Sequence, residues 1–121
     1  MLIVFMLIES ESIELVSSDV VLFENNSNPY EERRIFVNLC LQKAKHIQPI
    51  NESLLTRAQA IEKDQIKGLD ALHLACAEEL KVDYFLTCDD KMLKRYKGPI
   101  KLQSPVDFVT NILKKEQTND S

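Results

Sequence analysis

Three acids stand where the chain could bring carboxylates together. Asp89 comes directly after the apolar and β-branched run Tyr84-Phe85-Leu86-Thr87, so it falls at the carboxyl end of an expected buried strand. Asp70 follows Gly68 at the start of an expected helix, and Glu24 lies one short helix beyond an expected strand at 13–16. In parallel α/β sheets, sites form beyond the carboxyl ends of the strands. Three carboxylates drawn there from distant segments suit a hard cation, Mg2+ or Mn2+, which takes oxygen ligands. Two such ions can clamp a phosphodiester and activate water. The competing reading is structural. An Asp at a helix start is commonly a cap, and with 19 acids in the chain some fall near strand ends by chance. Residue types and spacing leave both readings open.

Neighbouring groups divide the same way. His73 sits three residues after Asp70 on the same side of the helix, as a packing histidine or as a partner that orients a ligand. Thr87 is a good strand residue that could also hydrogen-bond an adjacent acid. Asp90 is expected to cap the helix that follows. Arg33-Arg34 and the group Lys91, Lys94, Arg95 and Lys97 could contact phosphates or form solvated helix faces. Cys40, Cys76 and Cys88 are odd in number and widely spaced, and no CxxC pair exists. With only two histidines this excludes most zinc sites, and the thiols are expected to be buried in a reducing cytosol.

These groups must be positioned by alternating elements. Residues 1–8 are all apolar, and over residues 1–9 periodicity cannot separate a buried strand from a buried helix. A strand is expected at 13–16, then a short helix capped at Ser17-Ser18-Asp19 and broken by the polar run at 25–28. Asn28-Pro29 is expected to restart a helix, with Asn as cap and Pro at the first position. A strand near 47–50, interrupted by Pro49, suits a sheet edge. Asn51 is expected to cap a helix with Leu54, Leu55, Ala58 and Ile61 on one face. A helix from Asp70 to Lys81, the strand to Thr87, a helix at 91–96, a strand at 100–102 and a helix capped at Ser104-Pro105 complete the order. Strands alternating with helices imply a mostly parallel sheet with helices on its faces.

Composition bounds the answer. The chain has 121 residues, and 45% of them are apolar, which fits one domain over 1–116 with a polar tail at 117–121. Only two glycines, Gly68 and Gly98, are present, which argues against a β-sandwich and excludes a Gly-rich phosphate loop. The net charge of -4 does not advertise nucleic-acid binding, although an acidic metal site lowers net charge. The apolar start is too short to span a membrane and lacks the basic flank of a secretory signal. A cytoplasmic protein is expected.

The wording of several segments is more specific than their spacing. Gly68-Leu69-Asp70-Ala71-Leu72-His73-Leu74-Ala75 resembles the "DALHLA" segment of the PIN-domain family. Phe85-Leu86-Thr87-Cys88-Asp89-Asp90-Lys91-Met92-Leu93 resembles its "FLTxD" strand and following helix. Leu102-Gln103-Ser104-Pro105-Val106-Asp107-Phe108 resembles its closing strand–Pro–helix element, and residues 16–24 with Asn28-Pro29 resemble the segment carrying its second acid. The resemblance runs from about residue 13 to about residue 108. It implies a three-layer α/β/α domain with a parallel sheet. It further implies a Mg2+- or Mn2+-dependent ribonuclease, in many members the toxin of a bacterial toxin–antitoxin pair. Glu24, Asp70 and Asp89 match three of the family's four acids, as catalytic and metal-binding residues. The chain departs from the family at its start. The family opens with a central strand ending in Asp, whereas residues 1–9 resemble the helix that follows that strand, and no Asp precedes Asp19. The first strand and first acid are therefore expected to be missing, or to lie upstream of residue 1, and activity to be impaired. RNA, an antitoxin protein and a second copy of the chain are the expected partners. The alternative is a catalytically inactive binding or oligomerisation module, with residues 1–8 refilling the strand slot or pairing with another chain.

Overall fold

The computed structural model describes the backbone of residues 2–119 and the side chains of residues 3–115. Its elements are α1 (Leu2–Glu9), β1 (Val16–Ser18), α2 (Asp19–Asn26), α3 (Glu31–Gln42), β2 (His46–Gln48), α4 (Glu52–Glu62), α5 (Leu69–Leu80), β3 (Tyr84–Leu86), α6 (Asp90–Arg95), β4 (Lys101–Gln103) and α7 (Pro105–Asn119). After α1, whose segment the patterning left open, the alternation of helices and strands is the expected one. Helix α7 runs through Asn119, so residues 117–119, expected in a tail, have helical backbone. Residues 120 and 121 lie outside the described residues.

The strands pair in parallel, β1 with β2 and β3 with β4. They form two two-stranded sheets where one sheet was expected. Among the described residues no strand hydrogen-bonds to both pairs. The apolar start cannot supply one, because it is helical. Val4 and Ile8 of α1 are buried, and Phe5 meets Phe36 of α3 with ring centroids 5.9 Å apart. The idea that residues 1–8 refill a strand slot is therefore corrected for residues 2–8, which are helical, with Val4 and Ile8 buried and Phe5 against α3; residue 1 lies outside the described residues.

Strand β1 begins later than the apolar run at 13–16 suggested. Ser17 and Ser18, consecutive and so on opposite faces of the strand, are both buried. The Cys76 thiol of α5 lies beside Ser18 as a polar neighbour. Burial pushes the Cys76 thiol up from its ordinary pKa, with Ser18 pulling the other way. Cys40 is half-buried and Cys88 is exposed, so the expectation of three buried thiols fails at Cys88.

The core that holds these elements is built from α4 and α5. Leu54, Ala58 and Ile61 on one helix face Ala71, Leu74 and Ala75 on the other, with Val20 of α2 and Met92 of α6 closing the cluster. The alanines allow the two helices to approach closely. Asn51 caps α4 as expected, its side chain accepting from the Leu54 N–H at 3.0 Å. Asn51→Ala is expected to cost about 1 kcal/mol, read as a lower urea midpoint with an unchanged slope. At α3 the expectation shifts by two residues. Asn28 Oδ1 accepts from Tyr30 N–H at 2.9 Å, closing a turn around Pro29, and the helix starts only at Glu31. Among the described residues no helix is long and apolar enough to cross a membrane.

Candidate active site

The turn into α5 places Asp70. Gly68 has φ 60 and ψ -129, a region open essentially to glycine alone. An added Cβ there would meet nothing within 4 Å, so the strain of a substitution comes from the backbone itself. Gly68→Ala is expected to destabilise the protein by about 1–3 kcal/mol, measurable in a denaturant titration. Gly68 also occupies the N-cap position, with no side chain to cap. Asp70, in the first turn, makes no hydrogen bond or ion pair among the described residues, so the cap reading fails for this acid.

What Asp70 experiences is electrostatic. Burial pushes its carboxyl above the usual carboxylate range, and the Asp89 charge pushes it further. His73 pulls it down and the Glu24 charge pushes it up again. Asp89, from the end of β3, and Glu24, from α2, thus both lie within reach of the Asp70 charge on α5.

Asp89 does cap. Its Oδ1 accepts from the N–H groups of Lys91 at 2.9 Å and Met92 at 3.3 Å, and its own N–H donates to Thr87 Oγ1 at 3.1 Å. The cap of α6 is therefore Asp89, and Asp90, expected in that role, is the first helical residue. Thr87 bonds the backbone of the acid, not its carboxylate. Asp89 Oδ2 has no hydrogen bond among the described residues, so one oxygen is structural and the other is free for chemistry.

Glu24 is held from the side. His73 Nε2 lies 2.6 Å from Glu24 Oε1, and with the carboxylate as acceptor the ring N–H donates. His73 is largely buried, with a side chain 15% exposed, while Glu24 is 45% exposed. The histidine is thus a partner to an acid and not merely a packing residue.

Asp70 and Asp89 line one cleft of about 340 Å3, which Glu24 does not line. Among the described residues no group of three or more His, Cys, Asp and Glu side chains is gathered closely enough to hold a metal ion. The pair still has the right chemistry for a hard cation. Mg2+ is commonly held through one or two carboxylates, with waters and substrate phosphate oxygens completing its shell. Burial first, and then the Asp89 charge, raise the proton affinity of Asp70 at this point.

Sequence reasoning did not single out Lys67, which shares the cleft with Lys91 and Arg95. Its place directly before the strained Gly68 was the available signal. Nor did it find the network joining Arg57, Glu78 and Tyr96, whose members are far apart in sequence. Of the basic residues noted, Arg33 and Arg34 are engaged locally. Arg33 stacks over Tyr30 with 5.0 Å to the ring centroid, and Arg34 Nη1 donates to the Asn28 carbonyl.

No curated protein and no solved structure matches the chain. A family model does: the PIN domain, over residues 4–99. That span contains all three acids, the Gly68 turn and every strand but the last. The chain accordingly belongs to the PIN-domain family.

Proposed function

We propose that the protein is a divalent-cation-dependent ribonuclease that hydrolyses RNA phosphodiesters, acting in the cytoplasm as the toxin of a toxin–antitoxin pair. The family has a nuclease fold and generally depends on divalent metal. The observation that carries the reading is Asp70. Among the described residues it is half-buried and free of hydrogen bonds, and burial, followed by the charges of Asp89 and Glu24, raises its proton affinity. A fold does not keep an uncompensated carboxylate in that setting for stability.

Asp70 and the free oxygen of Asp89 would hold Mg2+ or Mn2+, with Glu24 completing the acidic set. A bound cation supplies charge neutralisation at the phosphodiester and acidifies a nearby water. The chain's own groups orient the set. Thr87 and the α6 amides fix Asp89, His73 fixes one oxygen of Glu24, and the Gly68 turn sets the start of α5.

Asp89→Asn is a clean test, because Asn is as good a cap as Asp and removes only the charge. Single-stranded RNA incubated with Mg2+ or Mn2+ should be cleaved by the wild type, and EDTA should suppress the cleavage. Equal cleavage by Asp89→Asn would refute the proposal.

A second reading, a module that binds or oligomerises without cleaving, is favoured by α3. Ile35 and Leu39 lie one turn apart on it and are 53% and 46% exposed. A homodimer or an antitoxin would cover that stripe. Sedimentation of the isolated chain as a dimer, without RNA cleavage, would support this reading over the first.

A further inference from the structure

Three cations share the cleft with the two acids: Lys67, Lys91 and Arg95. Among the described residues none of them forms an ion pair. Positive and negative groups therefore line one cleft without pairing. The separation leaves space for something that carries negative charge towards the cations while presenting itself to the acids.

The cleft wall has a third component. Ile66 and Met92 line it as well and are both buried, 4% exposed each, so part of its wall is apolar. Arg95 is anchored: its Nη1 donates to the Gln65 carbonyl at 3.0 Å, which fixes the guanidinium and leaves its other N–H donors available. Gln65 itself has positive φ, 68, so the carbonyl is presented by a bend in the chain after α4. Cations beside a partly apolar wall match a sugar or base with its phosphate. A volume of about 340 Å3 takes roughly one nucleotide unit, at the small end of ligand sites.

We propose that Lys67, Lys91 and Arg95 form a subsite for the phosphate of single-stranded RNA adjacent to the one presented to Asp70 and Asp89, with Ile66 and Met92 packing against the attached nucleoside. The proposal rests on the ribonuclease reading for its ligand, but not on hydrolysis. The cations fix where the strand lies, and they are positioning residues.

Fluorescence anisotropy of a labelled single-stranded RNA oligonucleotide, titrated with protein in EDTA at several salt concentrations, tests binding apart from cleavage. Each phosphate contact with a single strand contributes roughly 0.7 to the slope of log affinity against log salt. The triple variant Lys67→Gln, Lys91→Gln, Arg95→Gln is expected to lose about 2 from that slope and at least about tenfold in affinity at low salt. Lys94→Gln, on the same helix but outside the cleft, is expected to bind as the wild type does. Arg95→Lys keeps the charge while losing the anchor to Gln65, and should retain the slope, which guards against a folding defect in the triple variant. Wild-type affinity and slope in the triple variant would overturn the subsite, as would a wild-type protein that binds no RNA. Loss of binding in the triple variant, in a protein that never cleaves, would remove the nuclease reading and keep the subsite.

Discussion

Asp70→Asn is expected to make the protein more stable and less active at once. Asparagine keeps the shape of aspartate and removes its charge. At neutral pH the wild-type carboxylate is partly desolvated and pushed by the charges of Asp89 and Glu24. Relieving such repulsion commonly gains about 0.5–2 kcal/mol. RNA cleavage should fall on the order of 10²–10³-fold, the scale of removing one electrostatic element from a transition-state site. The pH dependence distinguishes this from a generic effect. The folded protein holds the Asp70 proton more tightly than the unfolded chain, whose value is near 3.8. The native state therefore binds more protons in the window just above 3.8, and this residue's contribution to stability falls as pH rises through it. The penalty is fully present above the folded pKa and vanishes below the unfolded one. In Asp70→Asn that part of the slope is absent. Urea midpoints from pH 3 to pH 7 and an RNA cleavage assay together check the prediction. A destabilised variant would show that Asp70 is structural.

How far this site was legible in the chain depends on which force sets each part. Element order was readable because apolar periodicity and cap chemistry are local, as at Asn51 and Ser104-Pro105. Asp89 at a strand end was readable from the run before it. Whether Asp70 caps α5 was not readable, since the answer lies in the backbone of Gly68, which takes the cap position itself. The division of the strands into two pairs was equally hidden. Residues 2–9 carry no periodicity that separates helix from strand, and only their packing on α3 and α7 makes them helical. The pairing of His73 with Glu24 spans 49 positions, a contact that only the folded chain creates.

Glu78→Ala is expected to cost about 2–4 kcal/mol, although Glu78 lies outside the cleft. Its carboxylate accepts from Arg57 Nε at 2.6 Å and Nη2 at 3.0 Å, and from Tyr96 OH at 2.5 Å. The Ile100 N–H donates to that same phenol oxygen at 3.4 Å. One side chain of α5 thereby ties α4 to the loop between α6 and β4. Gly98 in that loop has no room for a Cβ, which would run into the Tyr96 ring and lie 2.6 Å from Glu78 Oε2. The side chain of Glu78 is 14% exposed and that of Arg57 is 43% exposed, so the pair gains less than a fully buried one would. Burial pushes the Glu78 carboxyl up, but the hydrogen bonds from Arg57 and Tyr96 outweigh it and hold the group below the usual value of 4.5. Burial and the Glu78 hydrogen bond keep the Tyr96 phenol neutral well past its ordinary range. A lowered carboxyl stabilises the fold above the unfolded value and loses that contribution as pH falls from 4.5 through the folded pKa. This is the opposite direction to Asp70, over an overlapping acid range. In the wild type the two slopes partly cancel. Removing Glu78 leaves the Asp70 slope alone, so the variant should be weak at pH 7 and less sensitive to acid than the wild type. Removing Asp70 should do the reverse. The pair of urea-midpoint profiles thus separates a carboxylate kept for the fold from one kept in spite of it.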